Sequence, residues 1–268
     1  MSGREILLAW MAAVLIAAGS FGWLLFRPLD IAGEVAERCE GRRTGVMFVG
    51  SSLTRDAIPH GWGIFARMTI SAPDEANVLE LFRGALECDV RMIAIEAQPL
   101  TQSTSGQFGP GIAFMTPLRV AMRDARRSLD GLITATSGKV LGPNVRPARR
   151  NAVFRPGPDD KPSRDIVPRQ LEAPDIFRDL ITEAKRRGIR VALIEYPRSD
   201  TAALWVGEAE TAELQANTAA VAREFGIDLF QTETGSWPDD HFRDRAHMNA
   251  RGSRRMLGAL ATWLEGLR

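Results

Sequence analysis

The chain has 268 residues, of which 45% are hydrophobic and 25% are charged, and 34 lysines and arginines nearly balance 33 aspartates and glutamates. This composition is typical of a globular α/β protein and excludes a disordered chain, a collagen-like chain and a disulfide scaffold. With a formal net charge of +1, the protein has no overall positive potential that would attract nucleic acid. We therefore expect no nucleic-acid partner.

The N-terminal stretch 6–26 is apolar and contains no ionisable side chain. A helix of this length crosses a hydrocarbon core of about 30 Å. Trp10 and Trp23 lie toward its two ends, where aromatic residues meet the membrane interfaces. The stretch therefore predicts a membrane helix inserted in the lipid bilayer. Two alternatives stay open: a signal peptide cleaved near the small residues 17–19, and a buried helix of a soluble protein.

The membrane helix divides the chain into an anchor at 1–26, a spacer at 27–44 and a folded domain at 45–268. The simplest topology is a single pass through the inner (cytoplasmic) membrane, with the domain on the extracytoplasmic, periplasmic side. The two cysteines, Cys39 and Cys88, fit that compartment, because an exported chain meets oxidising conditions in which a disulfide forms.

Short apolar runs and helical periodicity alternate along the domain. The apolar runs predict strands at 46–49, 68–71, 91–97, 191–195 and 227–230. The periodic stretches predict helices at 74–87, 118–129, 174–187 and 208–224, and a C-terminal helix capped by Asn249. The segment 138–169 is rich in proline, glycine and basic residues. It predicts a mobile basic insertion, with contact to anionic lipid heads or a polyanionic glycan as the sharper alternative.

Strands that alternate with helices predict a parallel sheet covered on both faces, with ligands at the carboxyl ends of the strands. In the flavodoxin-like order 2-1-3-4-5, the first and third strands are neighbours. Cys39 and Cys88 precede these two strands. We therefore expect them to come within disulfide distance at the amino-terminal edge of the sheet.

Residues 50–54, Gly-Ser-Ser-Leu-Thr, follow the first predicted strand. A serine at the carboxyl end of a buried strand and the start of a helix is held where its hydroxyl faces substrate and backbone N–H groups face an oxyanion. By itself the motif is also an ordinary turn and helix cap. A serine further needs a base to become a nucleophile.

The candidate base lies almost two hundred residues later, in the stretch 244–249 between the fifth strand and the last helix. Three residues of separation in a turn let the Asp244 carboxylate accept from Nδ1–H of His247, which leaves Nε2 to take a proton from serine. By itself, Asp-x-x-His is also a polar helix entry. Because both motifs lie at one edge of the predicted sheet, they favour a catalytic triad of Ser52, His247 and Asp244.

The other two histidines receive no catalytic assignment. His60 is predicted to lie at the surface, and His241 is predicted to be a loop residue because its neighbouring aspartates lack the Asp-x-x-His spacing. No histidine shows metal-ligand spacing with the cysteines, so we expect no structural zinc and no cofactor.

The two motifs together resemble blocks of the SGNH/GDSL hydrolase superfamily. Residues 50–54 are similar to the first block, with a serine in the place usually held by aspartate and Ser52 as the nucleophile. Residues 244–247 are similar to the last block, and Asn249 and Gly252 match residues that often follow in membrane-anchored members.

The resemblance implies a three-layer α/β/α sandwich with a five-stranded parallel sheet. It also implies an oxyanion hole in which Ser52 contributes its N–H. The family's second block offers a glycine N–H, and Ala72 stands in the glycine's place here. The third block offers an asparagine amide, and Gln98 is the matching amide in this chain.

With the anchor, the chain resembles accessory proteins of alginate, peptidoglycan and lipoteichoic-acid acylation systems. The resemblance implies a membrane-tethered serine O-acyl esterase or acyltransferase that acts on an acylated cell-envelope carbohydrate beside a polytopic membrane O-acyltransferase. The alternative is a non-catalytic subunit that uses the same fold to bind a glycan or to scaffold the membrane enzyme.

Overall fold

The computed structural model describes residues 39, 43–58, 65–69, 74–104, 151–157 and 166–267. They belong to one compact unit that comprises Asp30–Gln107 and Val145–Arg268. Several predicted features lie outside the described residues: the apolar stretch 6–26, the helix at 118–129, His60 and Ala72. Within the described ranges, no helix is long and apolar enough to cross a membrane.

Strands and helices alternate along the chain. The strands are β1 (Arg43–Gly50), β2 (Phe65–Thr69), β3 (Asp89–Glu96), β4 (Gln102–Thr104), β5 (Ile166–Pro168), β6 (Arg190–Ile194), β7 (Arg198–Ser199), β8 (Asp228–Phe230) and β9 (Ser236–Trp237). The helices are α1 (Ser52–Ala57), α2 (Glu75–Leu86), α3 (Gln98–Thr101), α4 (Pro174–Arg186), α5 (Asp200–Val206), α6 (Glu208–Phe225) and α7 (Ala250–Gly266), with a 3-10 turn at Asp239–His241.

The central sheet is five-stranded and parallel, in the order β2-β1-β3-β6-β8. This order confirms the predicted arrangement of the five sheet strands, because the chain visits them as 2-1-3-4-5. The second strand differs in extent from the prediction at 68–71. It begins at Phe65, because backbone pairing with Val46–Gly50 extends the ladder beyond the apolar side chains that signal it.

Side chains on the two faces of the sheet pack into two separate hydrophobic cores. On one face, Met47, Ile93 and Leu193 pack against α2, α4 and α6. On the other face, Phe48 and Ile194 pack with α1 and α7. A parallel strand buried on both sides must be apolar at nearly every position, which is why these strands read as continuous apolar runs. The result is three layers of helix, sheet and helix.

Helix termini set the points at which strands pass into helices. The Asp74 side chain accepts from Asn77 N at 2.8 Å and caps α2. The Asn249 side chain accepts from the backbone N–H groups of Arg251 and Gly252 at the start of α7, as predicted. Each cap satisfies amide hydrogens that the first turn of a helix leaves without an internal acceptor.

Two described stretches of the segment 138–169 form backbone hydrogen bonds with the rest of the domain, and the mobility that its composition suggests stays a prediction. Residues 166–168 form β5, which pairs antiparallel with β4. Phe154 N donates to Phe242 O at 2.8 Å, and Arg169 N donates to Thr101 O at 3.0 Å. Backbone hydrogen bonds to distant strands and loops supply the order, and sequence periodicity carries no signal of such pairing.

Cys39 and Cys88 form a disulfide, with their Cα atoms 5.3 Å apart. Cys88 directly precedes β3. Cys39 lies ahead of β1, the strand next to β3 in the sheet. The bridge closes a loop between residues 49 positions apart. On the chain-entropy model, a loop of this length stabilises the fold by about 4 kcal/mol.

We therefore expect Cys39→Ala/Cys88→Ala to lower the free energy of unfolding of the full chain by about 4 kcal/mol. Chemical denaturation measures this difference. Thiol counting on denatured wild-type protein from an oxidising compartment should find no free cysteine. Two reactive thiols per chain would contradict the bridge.

Candidate active site

Ser52 lies where β1 passes into α1. The strand ends at Gly50, Ser51 caps the helix, and Ser52 is the first helical residue. A Cβ atom added to Gly50 would lie 2.6 Å from Cβ of Glu96 on the neighbouring strand. This close approach requires glycine, and it brings the serine loop down onto the carboxyl end of β3.

The structure brings Ser52, His247 and Asp244 together. Ser52 Oγ lies 2.8 Å from His247 Nε2. His247 Nδ1 lies 2.9 Å and 3.0 Å from the two carboxylate oxygens of Asp244. A carboxylate only accepts, so Nδ1 carries the hydrogen and Nε2 presents a lone pair to the serine hydroxyl. This is the arrangement of a nucleophile, a general base and the group that orients the base.

The loop of residues 244–247 is organised around the Asp244 carboxylate. Its Oδ1 also accepts from the backbone N–H of His247 at 2.8 Å and of Ala246 at 3.0 Å. Burial raises the pKa of Asp244, but these hydrogen bonds outweigh burial and lower the pKa to about 2. Asp244 therefore stays a carboxylate throughout the range in which histidines titrate.

Two contacts fix the histidine loop against the serine helix. Arg243 donates to Asp56 Oδ2 at 2.7 Å, which joins the residue before Asp244 to α1. Ser253 Oγ in α7 donates to Ala57 O at 2.8 Å. Hydrogen bonds between α1 and the loop and helix that follow it in space thus set the separation of Ser52 from His247.

Glu96 lies at the end of β3, directly beneath the serine loop, and is only 2% exposed. Ser51 donates its N–H to Oε2 at 2.7 Å and its hydroxyl to Oε1 at 2.5 Å. Thr54 donates its hydroxyl to Oε2 at 2.7 Å and its N–H at 3.3 Å. Burial raises the pKa of Glu96, and these four hydrogen bonds oppose the rise. The Glu96 carboxyl group therefore fixes the positions of Ser51 and Thr54, which lie on either side of Ser52.

The three predicted oxyanion donors have different outcomes. The Ser52 N–H donates to no acceptor in the described part of the chain and stays free for an oxyanion. Gln98 lies at the start of α3, but its Nε2 donates to Tyr196 O at 2.8 Å, so one of its amide hydrogens is engaged. Ala72 lies outside the described residues.

Asn249 and Gly252 contact the 3-10 turn Asp239–His241, which precedes His247 in the chain. Asn249 Nδ2 donates to the carbonyl groups of Asp240 and Phe242 at 2.8 Å and 3.1 Å. A Cβ atom on Gly252 would collide with the carbonyl oxygen of His241. His241 lies in the 3-10 turn of the connection between β9 and α7, where a loop residue was predicted, but its side chain is buried. It is buried because this turn packs beneath α7, a contact that sequence spacing does not reveal.

A cavity of about 240 Å³ opens beside the triad. Its wall includes Leu53 and Ala246, the residues next to Ser52 and His247, together with Gln98, Gln102 and Arg198. The described residues contain no cluster of three or more histidine, cysteine, aspartate and glutamate side chains able to hold a metal ion.

The sequence prediction missed three features of this site. Glu96 receives no role in the sequence prediction, yet an acidic residue directly after the apolar run 92–95 is a signal for a buried carboxyl group. Arg198 follows β6 at the same edge of the sheet and carried the same kind of signal. The Arg243–Asp56 pair joins residues far apart in sequence and left no local pattern.

Comparison with known proteins finds no matching family model and no matching curated protein. Among solved structures, a candidate acylhydrolase from Bacteroides fragilis is 12% identical with a TM-score of 0.48, and covers 90% of this chain and 97% of its own. A GDSL-like lipase from Bacteroides thetaiotaomicron is 12% identical with a TM-score of 0.45, covering 88% and 98%. An SGNH-hydrolase family esterase is 13% identical with a TM-score of 0.33, covering 85% and 97%. At such identity, activity does not transfer from these proteins to this chain.

Proposed function

We propose that this protein is a serine esterase. The observation that carries the proposal is the continuous contact from Ser52 Oγ to His247 Nε2 at 2.8 Å and from His247 Nδ1 to Asp244 at 2.9 Å. Serine hydroxyls are weak nucleophiles until a neighbouring base takes their proton. A nucleophile, a base and an orienting carboxylate in this order are what acyl transfer requires.

In the proposed mechanism, Ser52 Oγ attacks the carbonyl carbon of an ester while its proton passes to His247 Nε2. The Ser52 N–H faces the negative charge that develops on the carbonyl oxygen. The protonated imidazole then gives its proton to the departing alcohol, which leaves an acyl-serine. Water attacks the acyl-serine, His247 takes a proton from it, and the carboxylic acid is released as Ser52 recovers its proton.

The first test is hydrolysis of p-nitrophenyl acetate by the full-length protein, compared with Ser52→Ala. We expect turnover by the wild type and loss of turnover in the variant. Equal rates for the two proteins would refute the esterase proposal and would favour the non-catalytic alternative.

The reaction should depend on pH through His247, because only the neutral imidazole accepts a proton. Activity is expected to fall as pH is lowered and the imidazole takes up a proton. Asp244 should not contribute to this fall, because its pKa is lowered to about 2. A profile of kcat/KM against pH measures the effect, and a rate that rises toward pH 5 would contradict a histidine base.

We further propose that the substrate is an acylated carbohydrate of the cell envelope and that residues 6–26 tether the enzyme to the membrane. The apolar character of 6–26 and the Cys39–Cys88 disulfide support an extracytoplasmic location. If a sugar hydroxyl replaces water in the second step, the same residues perform acyl transfer. Co-purification of the full chain from detergent-solubilised membranes tests for a polytopic O-acyltransferase partner.

A further inference from the structure

The cavity beside Ser52 contains a buried cation. Arg198, the first residue of β7, is 9% exposed and lines the cavity wall. Its guanidinium group donates to Gln102 Oε1, and no other acceptor for this side chain exists in the described part of the chain. A guanidinium group has five N–H donors in a planar fork. Most of its hydrogen-bonding capacity is therefore not used by the residues that the structure describes.

The nearest acidic side chain does not neutralise Arg198 by direct contact. Glu195 forms no ion pair with Arg198 within 4.0 Å. Gln102 stands between them, because it accepts from Arg198 and donates its Nε2 to Glu195 Oε1 at 3.2 Å. Gln231 donates to the other oxygen of Glu195 at 2.5 Å. Glu195 is thus hydrogen-bonded to Gln102 and Gln231 and not to the guanidinium group of Arg198.

The cost of this arrangement is electrostatic. Desolvation lowers the pKa of Arg198, and the Glu195 carboxylate opposes it only through space. Buried charges are normally paired, because removing an ion from water without a counterion is costly. Among the described residues Arg198 contacts no carboxylate, so its guanidinium group can pair with an anionic group that enters the cavity.

The backbone fixes Arg198 relative to the triad. Arg198 N donates to Gly235 O at 3.0 Å, and the next residue, Ser199, donates its N–H to Arg245 O at 3.4 Å. Arg245 lies within the loop that carries Asp244 and His247. A backbone hydrogen bond therefore links the segment that carries Arg198 to the loop that carries His247.

We propose that this cavity is a specificity pocket for an ester that carries a carboxylate, with Arg198 as the residue that binds the carboxylate. The proposal rests on the esterase function proposed above and names the charge of its substrate. Gln98 Oε1, a buried acceptor without a donor in the described part of the chain, also belongs to the cavity wall. An amide oxygen does not bind an anion, so Arg198 is the cavity residue that supplies donors for the carboxylate.

Two matched pairs of esters test the pocket with the full-length protein. On the acyl side, mono-4-nitrophenyl glutarate carries a carboxylate and 4-nitrophenyl pentanoate does not. On the alcohol side, acetoxyacetic acid carries a carboxylate and its methyl ester does not. We expect the wild type to prefer the charged member of one pair, and the pair that shows the preference identifies the part of the ester that enters the pocket.

Arg198→Met should remove that preference. Hydrogen bonds to a charged group are worth enough for a loss of about tenfold to a hundredfold in kcat/KM for the charged ester. The neutral ester should lose less, so that the ratio of kcat/KM for the charged ester to kcat/KM for the neutral ester falls. Arg198→Lys keeps the positive charge but lacks the planar fork of N–H donors. Its kcat/KM for the charged ester should therefore lie between the values for the wild type and Arg198→Met. Arg190→Met is the matched control, because Arg190 is paired with Asp228 at the opposite end of β6.

Binding to Ser52→Ala separates this proposal from the esterase proposal. Calorimetry with monomethyl glutarate and dimethyl glutarate should show tighter binding of the monoanion, lost when Arg198→Met is added. If the wild type hydrolyses no ester but the monoanion binds through Arg198, the pocket stands and the esterase function fails. If esters are hydrolysed with no charge preference, or Arg198→Met weakens charged and neutral ligands equally, the pocket proposal is overturned.

Discussion

Ser52→Ala and His247→Ala are each expected to lower kcat for ester hydrolysis by about 10³-fold or more. Either change breaks the 2.8 Å contact through which the serine proton leaves. Asp244→Asn should cost less, because the imidazole remains but loses the carboxylate that orients it. The double variant Ser52→Ala/His247→Ala should be no slower than the worse single variant, since the two residues act as one unit.

His241→Ala is the control for histidine replacement. His241 is buried beneath α7 and makes no contact with Ser52, so its loss should lower stability while kcat changes little for the protein that remains folded. Steady-state kinetics at a temperature well below each variant's melting point separate the two effects. A severe loss with His241→Ala and a mild one with His247→Ala would overturn the triad.

Glu96→Ala is expected to lower the free energy of unfolding by about 3–5 kcal/mol and to reduce activity as well. The change leaves four buried donors of Ser51 and Thr54 without an acceptor. These two residues lie on either side of Ser52, so their displacement also moves the nucleophile away from His247. Chemical denaturation and steady-state kinetics measure the two consequences.

Glu75→Ala provides the matched control for Glu96→Ala. Glu75 is equally buried, and its carboxylate accepts from the backbone N–H groups of Glu172 and Ala173 and from Arg169. We expect a similar loss of stability but no change in kcat, because this network lies around α2 and α4 rather than around Ser52. Equal losses of activity in both variants would show that Glu96 has no special connection to the site.

Glu96→Gln tests the charge of the same group. Burial raises the pKa of Glu96, so the folded protein binds a proton there more readily than the unfolded chain. The stability that this proton contributes is present below the ordinary pKa of glutamate and is lost as pH rises through the raised pKa. The difference in unfolding free energy between wild type and Glu96→Gln should therefore shift against the wild type as pH increases.

The sequence by itself determined which segments form the central sheet and where the two site loops lie. Parallel strands buried on both faces must be apolar along their length, and this local requirement is written directly into stretches such as 46–49 and 191–195. Caps such as Asp74 and Asn249 are equally local, because each satisfies amide groups two or three residues away. Ser52 and His247 could be predicted because each follows a recognisable strand at the same sheet edge.

Only the tertiary structure decided what surrounds the triad. Glu96, Arg198 and the Arg243–Asp56 pair act through contacts between residues 42 to 187 positions apart or through burial. The strand β5 exists because β4 offers it a partner, and no apolar period marks its three residues. Local patterns report which backbone conformation a segment adopts, whereas desolvation and long-range hydrogen bonding depend on which segments meet. The positions of Ser52 and His247 were thus readable in the sequence, and the burial of Arg198 beside the cavity was not.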